Sequence, residues 1–511
     1  MVVLSDTYFP GWRARVDGKA AQIYEVNGAM RGVMVPGGLH TLTMRYRPAS
    51  VIWGGLLTLV GILGAVGLAT ARDIRSLPGR LKPVRLAFSQ WLDTGRSGQF
   101  LFLAGALSIG VYFLSLTSPS LGVYFTPDDL MNLYRAWVFP AGQLIKANLL
   151  FFLTSDFGRP MGEAWYRTVF HFAGFNPFWF HAANLPILLV NIFLTYAVAR
   201  RLSGSGEIGA VAVLLGSYTT RLGFLYFDTG YIYDVLCYLF FFAAFLFYVR
   251  VRQQERLPNG WEVAVFCGLY ICALNSKEMA VTLPVFLALY EVLYHPPRTW
   301  KPAGLYRRLL REGRTTSIAA AMTLAFVTGR SLGTETLIAS SAYRPVFTWT
   351  RFLSTSRHFL GDITNTGDWP AWGVLALWAL LFAAAWGARS RTLKFAWLFL
   401  MVSPIPVAFI PGRGASQYYV PWFGCVLYGA ALLVGVLRFV TGRLWSEGPR
   451  LSRVRGTLLF AVVMLIAYPF YKRKDGRTLA VLGRKLRRTG RSWPNCIRPL
   501  RGSVPRVGCC S

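Results

Sequence analysis

Thr126-Pro127-Asp128-Asp129-Leu130 sets two adjacent carboxylates just past an apolar stretch. Ionised acids at a membrane face are costly to hold, and those that stay there handle a proton, a cation or a polar substrate. Three other groups fit that chemistry: Arg159 with Glu163, Lys277 with Glu278, and Arg413 with Gln417, Tyr418 and Tyr419. Acids are scarce, 22 among 511 residues, so four of them beside apolar stretches form a selective pattern. The set suits a lipid-linked sugar phosphate. Lys277 and Arg413 are cations able to hold a phosphate, the arginine in bidentate fashion. A carboxylate of the Asp128-Asp129 pair is placed to take the proton of an attacking hydroxyl as general base. Its partner orients that base or helps bind a divalent cation.

Each residue also has a simpler use. Pro127-Asp128 is a helix-start signal, so Asp128 fits an N-cap for a helix beginning at Leu130. Lys277-Glu278 fits a solvated turn between two spans. Arg413, near a span end, fits a side chain that reaches the headgroups. Arg159 and Glu163 fit a surface pair on one helix, and the aromatic run around Phe175 to Phe180 fits an interfacial belt.

The elements that must position these groups are membrane helices. The chain is 54% hydrophobic and 15% aromatic, with a mean hydropathy of +0.42. Apolar stretches of about 20 residues recur along it, which makes it an all-α polytopic membrane protein. The net charge of +32 is no nucleic-acid signature, because the basic residues fall in short clusters between apolar stretches. Arg200-Arg201, 250–256 and 298–314 are the clearest, and they follow the positive-inside rule. Seven cysteines and five histidines show no metal spacing, and Cys509-Cys510 gives no disulfide framework.

Residues 1–48 differ from the rest. Val2-Val3-Leu4, Ala21-Gln22-Ile23-Tyr24 and Leu42-Thr43-Met44-Arg45-Tyr46 are β-prone, and Asp17-Gly18, Asn27-Gly28 and Pro36-Gly37-Gly38 are turn signals. They predict a small extracytoplasmic antiparallel β unit with little core of its own. Met1 falls inside a strand pattern with no signal peptide before it, which fits a truncated gene start. Residues 49–98 then hold a first span, 51–71, and a basic cytoplasmic linker. Residues 99–471 form the main transmembrane domain, with further spans expected at 100–116, 178–198, 208–227, 231–248, 263–274, 279–293, 318–332, 371–386, 395–410, 419–439 and 457–470. That gives about 12 spans with nearly every basic cluster on one side. Asp128-Asp129, Arg159 with Glu163, Lys277-Glu278 and the Arg413 segment all fall on the other, extracytoplasmic side. Residues 472–511 carry twelve Lys or Arg and one acid. They read as a basic, disordered tail or a shifted reading frame.

The order of short motifs is familiar. Asp128-Asp129, Gly158-Arg159-Pro160, Phe175-Asn176-Pro177-Phe178, His181-Ala182-Ala183-Asn184-Leu185 and Ala199-Arg200-Arg201-Leu202 follow one another. Ser276-Lys277-Glu278-Met279-Ala280 with Leu283-Pro284, and Arg413 to Tyr419 with Pro421, come after them. Over roughly 100–440 this resembles the bacterial GT-C membrane glycosyltransferases, near the protein O-mannosyltransferase and TMTC-type branch. The resemblance implies an inverting transfer from a polyprenyl-phosphate sugar to a protein, lipid or glycan hydroxyl at the outer face of the inner membrane. Asp128 or Asp129 would be the base, with Arg159, Glu163, Lys277, Glu278, Arg413, Gln417 and Tyr418 binding substrate. Gly414-Ala415-Ser416 separates Arg413 from the tyrosines, a departure from the pattern. Residues 1–70 resemble instead the C-terminal end of YfhO-type bacterial membrane proteins, through Leu4-Ser5-Asp6-Thr7-Tyr8-Phe9-Pro10-Gly11-Trp12, Val16-Asp17-Gly18-Lys19 and Tyr46-Arg47-Pro48. The chain thus reads as the tail of one protein joined to another.

Two other function classes stand beside the transferase. A secondary transporter predicts charges near the midplane of broken helices and an internal repeat. No repeat is visible, and the key acids sit at span ends. A non-catalytic membrane scaffold keeps the fold without the chemistry. The sugar, the acceptor and any metal requirement have no motif of their own.

Overall fold

The structure is a computed structural model. It describes residues 1–7, 12–26, 30–46, 95–152, 158–297, 312–331, 344–364, 368–410, 415–444 and 456–471 apart from 466 and 470. The expected first span, the basic linker up to 94, Arg413 and the 472–511 tail lie outside the described residues. The chain divides into two compact units, Met1–Trp91 and Leu92–Ser511.

In the first unit, β1 (Val2–Thr7), β2 (Trp12–Val16), β3 (Lys19–Ala21), β4 (Ile23–Val26), β5 (Met30–Val33) and β6 (Leu42–Tyr46) make two three-stranded antiparallel sheets. Their orders are β1-β5-β4 and β3-β2-β6. Asp17 and Gly18 take φ of 51° and 82° and join Val16 to Lys19, which pair across the hairpin. A two-residue hairpin turn of this kind needs positive φ at both positions, which Asp-Gly tolerates. The Asp17 carboxylate then accepts from His40 Nδ1 at 2.6 Å and from the Thr41 amide at 2.8 Å. These bonds, the His40 one above all, hold its carboxyl below the usual range.

The second unit is helical. α1 (Gly95–Thr117), α2 (Pro127–Val138), α3 (Ala141–Leu149) and α4 (Pro160–Ala173) precede α5 (Pro177–Ser203) and α6 (Gly206–Ser217). α7 (Ile232–Arg252), α8 (Gly260–Ser276), α9 (Leu283–Tyr294), α10 (Arg314–Ser331), α11 (Trp349–Thr364), α12 (Ala371–Gly387), α13 (Arg391–Val402) and α14 (Tyr419–Leu444) follow. Among the described residues four helices are long and apolar enough to cross a membrane: Leu103–Gly122, Pro177–Ser203, Thr229–Arg252 and Tyr419–Thr441. Four shorter apolar helices accompany them, Gly206–Ser217, Gly260–Ser276, Ala371–Gly387 and Gly456–Pro469.

Several stretches expected as single spans are built in pieces. The 208–227 stretch gives α6, an extended break at Tyr218 and Thr219, and two short helical turns, Thr220–Leu222 and Phe224–Phe227. A helix of 12 residues such as α6 rises about 18 Å, short of the roughly 30 Å hydrocarbon core. The 279–293 stretch opens as the 3-10 turn Glu278–Thr282 before α9 begins. Apolar composition alone does not report such breaks, which explains why a hydropathy reading counts more continuous spans.

α7 is central, packing against both α5 and α8, while α14 packs against α6 and α13. Between apolar helices, close packing and hydrogen bonds hold the bundle, because lipid tails are as apolar as leucine. Asn184 Nδ2 donates to the Leu225 carbonyl at 3.1 Å, Asn191 Nδ2 to the Val235 carbonyl at 3.0 Å, and Thr195 bonds Tyr238 at 2.7 Å. Such links average about 0.6 kcal/mol each. Stacked rings add contact: Phe286 on Phe399 and Tyr238 on Tyr419, each pair 4.2 Å between centroids. Phe175, Phe178 and Trp179 stay exposed at the start of α5, while Phe180 is fully buried against Tyr166 and Trp165.

The charged side chains gather at two ends. Arg201 with Gln253, Arg252 with Glu291, and Arg438 with Glu207 mark one end, where the basic clusters lie. Asp129, Glu163, Asp234 and Glu278 mark the other. With single cysteines placed in a cysteine-free background, a membrane-impermeant thiol reagent on intact cells should label Tyr124→Cys and spare Gln254→Cys. Labelling of Gln254→Cys alone would invert the orientation.

Candidate functional site

The acidic end begins with the cap of α2. Thr126, in extended conformation, is the N-cap, with Pro127 as the first helical residue. The cap is therefore Thr126 and not Asp128. Asp129 closes a capping box: the Thr126 amide donates to Asp129 Oδ2 at 2.8 Å, and the Asp129 amide donates back to Thr126 Oγ1 at 3.2 Å. Thr126 Oγ1 lies 3.0 Å from the same Oδ2. Oδ1 accepts from Tyr166 at 2.9 Å and from Thr229 Oγ1 at 2.6 Å. Asp129 is 0% exposed, and both its oxygens are occupied. Asp128, one position along, faces out and is exposed.

A third acid, Asp228, joins this group from the turn before α7. It accepts from Thr126 Oγ1 at 3.2 Å and from the Gly230 amide at 2.9 Å. Burial, then the charge of Asp129, and to a lesser degree Asp128, push its carboxyl up to about 7.

α4 supplies the next pair of residues. Glu163 is 2% exposed, and its Oε1 accepts from Tyr233 Oη at 3.0 Å. Its Oε2 is buried with no partner among the described residues. Burial pushes the Glu163 carboxyl up to about 7, against the opposing pull of the Tyr233 bond, Arg135 and Arg159. The packing that seats Tyr233 depends on Gly162, where a Cβ would stand 2.1 Å from the tyrosine ring.

Arg159, just before α4, forks onto Glu278: Nε to Oε1 at 3.3 Å and Nη2 to Oε2 at 3.0 Å. Arg159 also lies over the Tyr233 ring, 5.6 Å from its centroid. Burial raises the Glu278 carboxyl, but Arg159 outweighs it, with smaller help from Lys277, and holds the group at about 2. Arg330, on α10, is close enough to act on both Glu278 and Arg159, and its Nη1 donates to the Gly158 carbonyl. Lys277 is 7% exposed and puts its Nζ 2.5 Å from each oxygen of Asp234, itself 4% exposed. Lys277-Glu278 is thus no solvated turn, since each side chain bridges to another element. Asn275 Nδ2 adds a bond to the Asn148 carbonyl at 2.7 Å.

The structure therefore brings Asp128-Asp129, Arg159, Glu163 and Lys277-Glu278 to one end of the helical unit. Gln417 and Tyr418 lie in the 3-10 turn before α14. Tyr418 stacks on Phe359 of α11 at 4.2 Å, and Gln417 Oε1 is buried with no partner among the described residues. No group of three or more His, Cys, Asp or Glu with the geometry of a metal site occurs among the described residues.

Five residues at this end escaped the sequence reading: Tyr166, Asp228, Tyr233, Asp234 and Arg330. Asp228 had a visible signal, an acid in the short turn between two apolar stretches on the acidic side. Asp234 had a weaker one, a lone acid inside an apolar run, which requires a cation. The tyrosines and Arg330 had none, because only tertiary packing joins them to the acids.

Residues 1–58 match the family described as bacterial membrane protein YfhO. No curated protein matches the chain. The match and the four long apolar helices agree on a membrane protein. The match stops short of the acidic end, so the chemistry there rests on its own geometry.

Removing one partner of a buried ion pair strands the other charge. Lys277→Met should therefore cost about 3 kcal/mol of stability, and Lys277→Met with Asp234→Asn should recover most of it. Thermal unfolding in detergent reads both, and equal melting of the two variants would contradict the pairing. Glu163 gives a pH effect of defined sign. Its folded carboxyl sits near 7 and its ordinary value is 4.5, so the folded protein holds the proton more tightly. Stability should fall as pH rises from about 4.5 to about 7, and Glu163→Gln should flatten that slope, with Asp228 supplying the remainder.

Proposed function

We propose that the chain is a multi-pass membrane glycosyltransferase of the inner membrane. It moves a sugar from a polyprenyl-phosphate donor to an acceptor hydroxyl at the extracytoplasmic face. The observation that carries this reading is the juxtaposition, at one end of the bundle, of an exposed carboxylate with paired arginines. Asp128 is open to an acceptor, while Asp129 next to it is saturated by Thr126, Tyr166 and Thr229. A general base needs a free oxygen within reach of the proton it removes. Asp128 therefore takes that role and Asp129 the role of fixing the head of α2.

Phosphate recognition falls first to Arg159 and Arg330. Both stand close to the Glu278 carboxylate, and guanidiniums offer the paired N–H donors that a phosphate accepts. Lys277 supports them indirectly, since Asp234 holds its ammonium. Arg413, Gln417 and Tyr418 keep the substrate-binding roles that the GT-C resemblance implies. The acceptor is a protein, lipid or glycan hydroxyl arriving from the outer side, and the donor enters from the bilayer with its prenyl chain among lipid tails.

Membranes carrying the wild type should transfer label from one of a panel of polyprenyl-phosphate sugars, of mannose, glucose and arabinose types. Asp128→Asn, at matched expression, should lose about 10²- to 10⁴-fold, the usual contribution of a general base. Equal label in both proteins would remove Asp128 from the reaction. No label from any donor would favour a transporter or a scaffold.

A further inference from the structure

The acidic end holds a carboxylate that the proposed reaction has not yet used. Asp228 is 8% exposed. Both of its hydrogen bonds, from Thr126 Oγ1 and the Gly230 amide, fall on Oδ1, and no described residue bonds to Oδ2. Gly230 separates it from Asp128: a Cβ there would stand 2.9 Å from Asp228 Oδ1 and 3.3 Å from Asp128 Cβ. Glycine thus keeps the gap between the two acids open. Asp129 cannot join them, because its oxygens are taken. Two deeply buried atoms on this end also have no partner among the described residues. They are Glu163 Oε2 and Nδ1 of His181, which is 1% exposed and close to Asp129. Buried polar atoms are almost always satisfied, so these two add hydrogen-bonding capacity at the acidic end.

We propose that Asp228 is a second catalytic carboxylate, paired with Asp128, and that the two together take one proton from the acceptor. The inference rests on the transferase reading. The acceptor oxygen bonds to the anomeric carbon as the bond from that carbon to the phosphate oxygen breaks. The electron pair of the broken bond leaves with the polyprenyl phosphate, whose new charge Arg159 and Arg330 receive. The hydroxyl proton passes to the Asp128–Asp228 pair and reaches solvent through exposed Asp128.

The charges acting on Asp228 come from Asp129 and Asp128 of α2. Tyr166 of α4 and His181 of α5 stand beyond Asp129, and Arg221 in the preceding turn is engaged by Asp362 at 3.8 Å. Burial first, then Asp129, raise the Asp228 carboxyl to about 7, and a base poised near the working pH is the efficient one.

Infrared pH-difference spectra of the full chain in liposomes, in a Glu163→Gln background, read the protonated carboxyl. We expect a carboxyl titrating near 7, absent in Asp228→Asn and moved to lower pH in Asp128→Asn. In the otherwise native chain, label transfer should rise through the same pH. Asp228→Asn should lower kcat at least about 10²-fold with the donor KM unchanged. A band that Asp128→Asn leaves in place overturns the pairing. An Asp228→Asn protein that keeps the wild-type rate and pH profile overturns the catalytic role. A wild type with the coupled band and no transfer from any donor sinks the transferase reading, and the pair's role in catalysis falls with it.

Discussion

The carboxylate of Asp129 is the constraint on which the acidic end depends. It closes the capping box at the head of α2 and receives Tyr166 from α4 and Thr229 from the start of the third long apolar helix. Three elements remote in sequence therefore meet on two oxygen atoms. A carboxylate this deeply buried is tolerable only when its lone pairs are all engaged. That requirement fixes where α2 begins, and the start of α2 fixes the direction in which Asp128 faces. The exposed acid is set in place by the buried one.

The ion pairs around it follow the same logic at longer range. Lys277 and Asp234 are too buried to remain charged alone, so α8 must end where α7 begins. Once that junction is set, Glu278 falls opposite Arg159, and the segment before α4 is drawn against α8. Gly162 allows Tyr233 to lie flat against α4, which delivers its hydroxyl to Glu163. Each bridge joins a helix end to another helix end, where water and headgroups share the burden of the charge. Among the described residues the apolar middle of the bundle carries amides and hydroxyls such as Asn184, Asn191 and Thr195.

How much of this the residues disclosed depends on range. The helical membrane class, the small β unit and the grouping of basic clusters are local properties, visible in composition and spacing. The gathering of Asp128-Asp129, Glu163 and Lys277-Glu278 at one end follows from alternating span direction, which the basic clusters report. The partners were not legible. Arg159 and Glu163, four positions apart on one helix, read as a natural pair, yet Arg159 reaches Glu278, 119 residues away. The helix terminus lies two residues before Asp128, because Thr126 and Asp129 together close a capping box there. The broken span ending at Phe227 was hidden too, since Tyr218 and Thr219 interrupt the helix without any proline or charge.

The two ends of the bundle use the same residue types to different effect. At the basic end Glu291 receives Arg252 twice, at 2.7 and 2.9 Å, and Tyr248 at 2.8 Å. Glu207 there receives Arg438 at 3.0 and 2.8 Å. Each of those acids is bound by an arginine through two donors, which is the arrangement of a structural clamp. At the acidic end only Glu278 has that arrangement. Among the described residues Glu163 keeps a buried oxygen without a partner, Asp228 places both its bonds on one oxygen, and Asp128 is exposed. That asymmetry, more than the presence of charge, is what supports placing the proposed chemistry at the end where Asp128 lies.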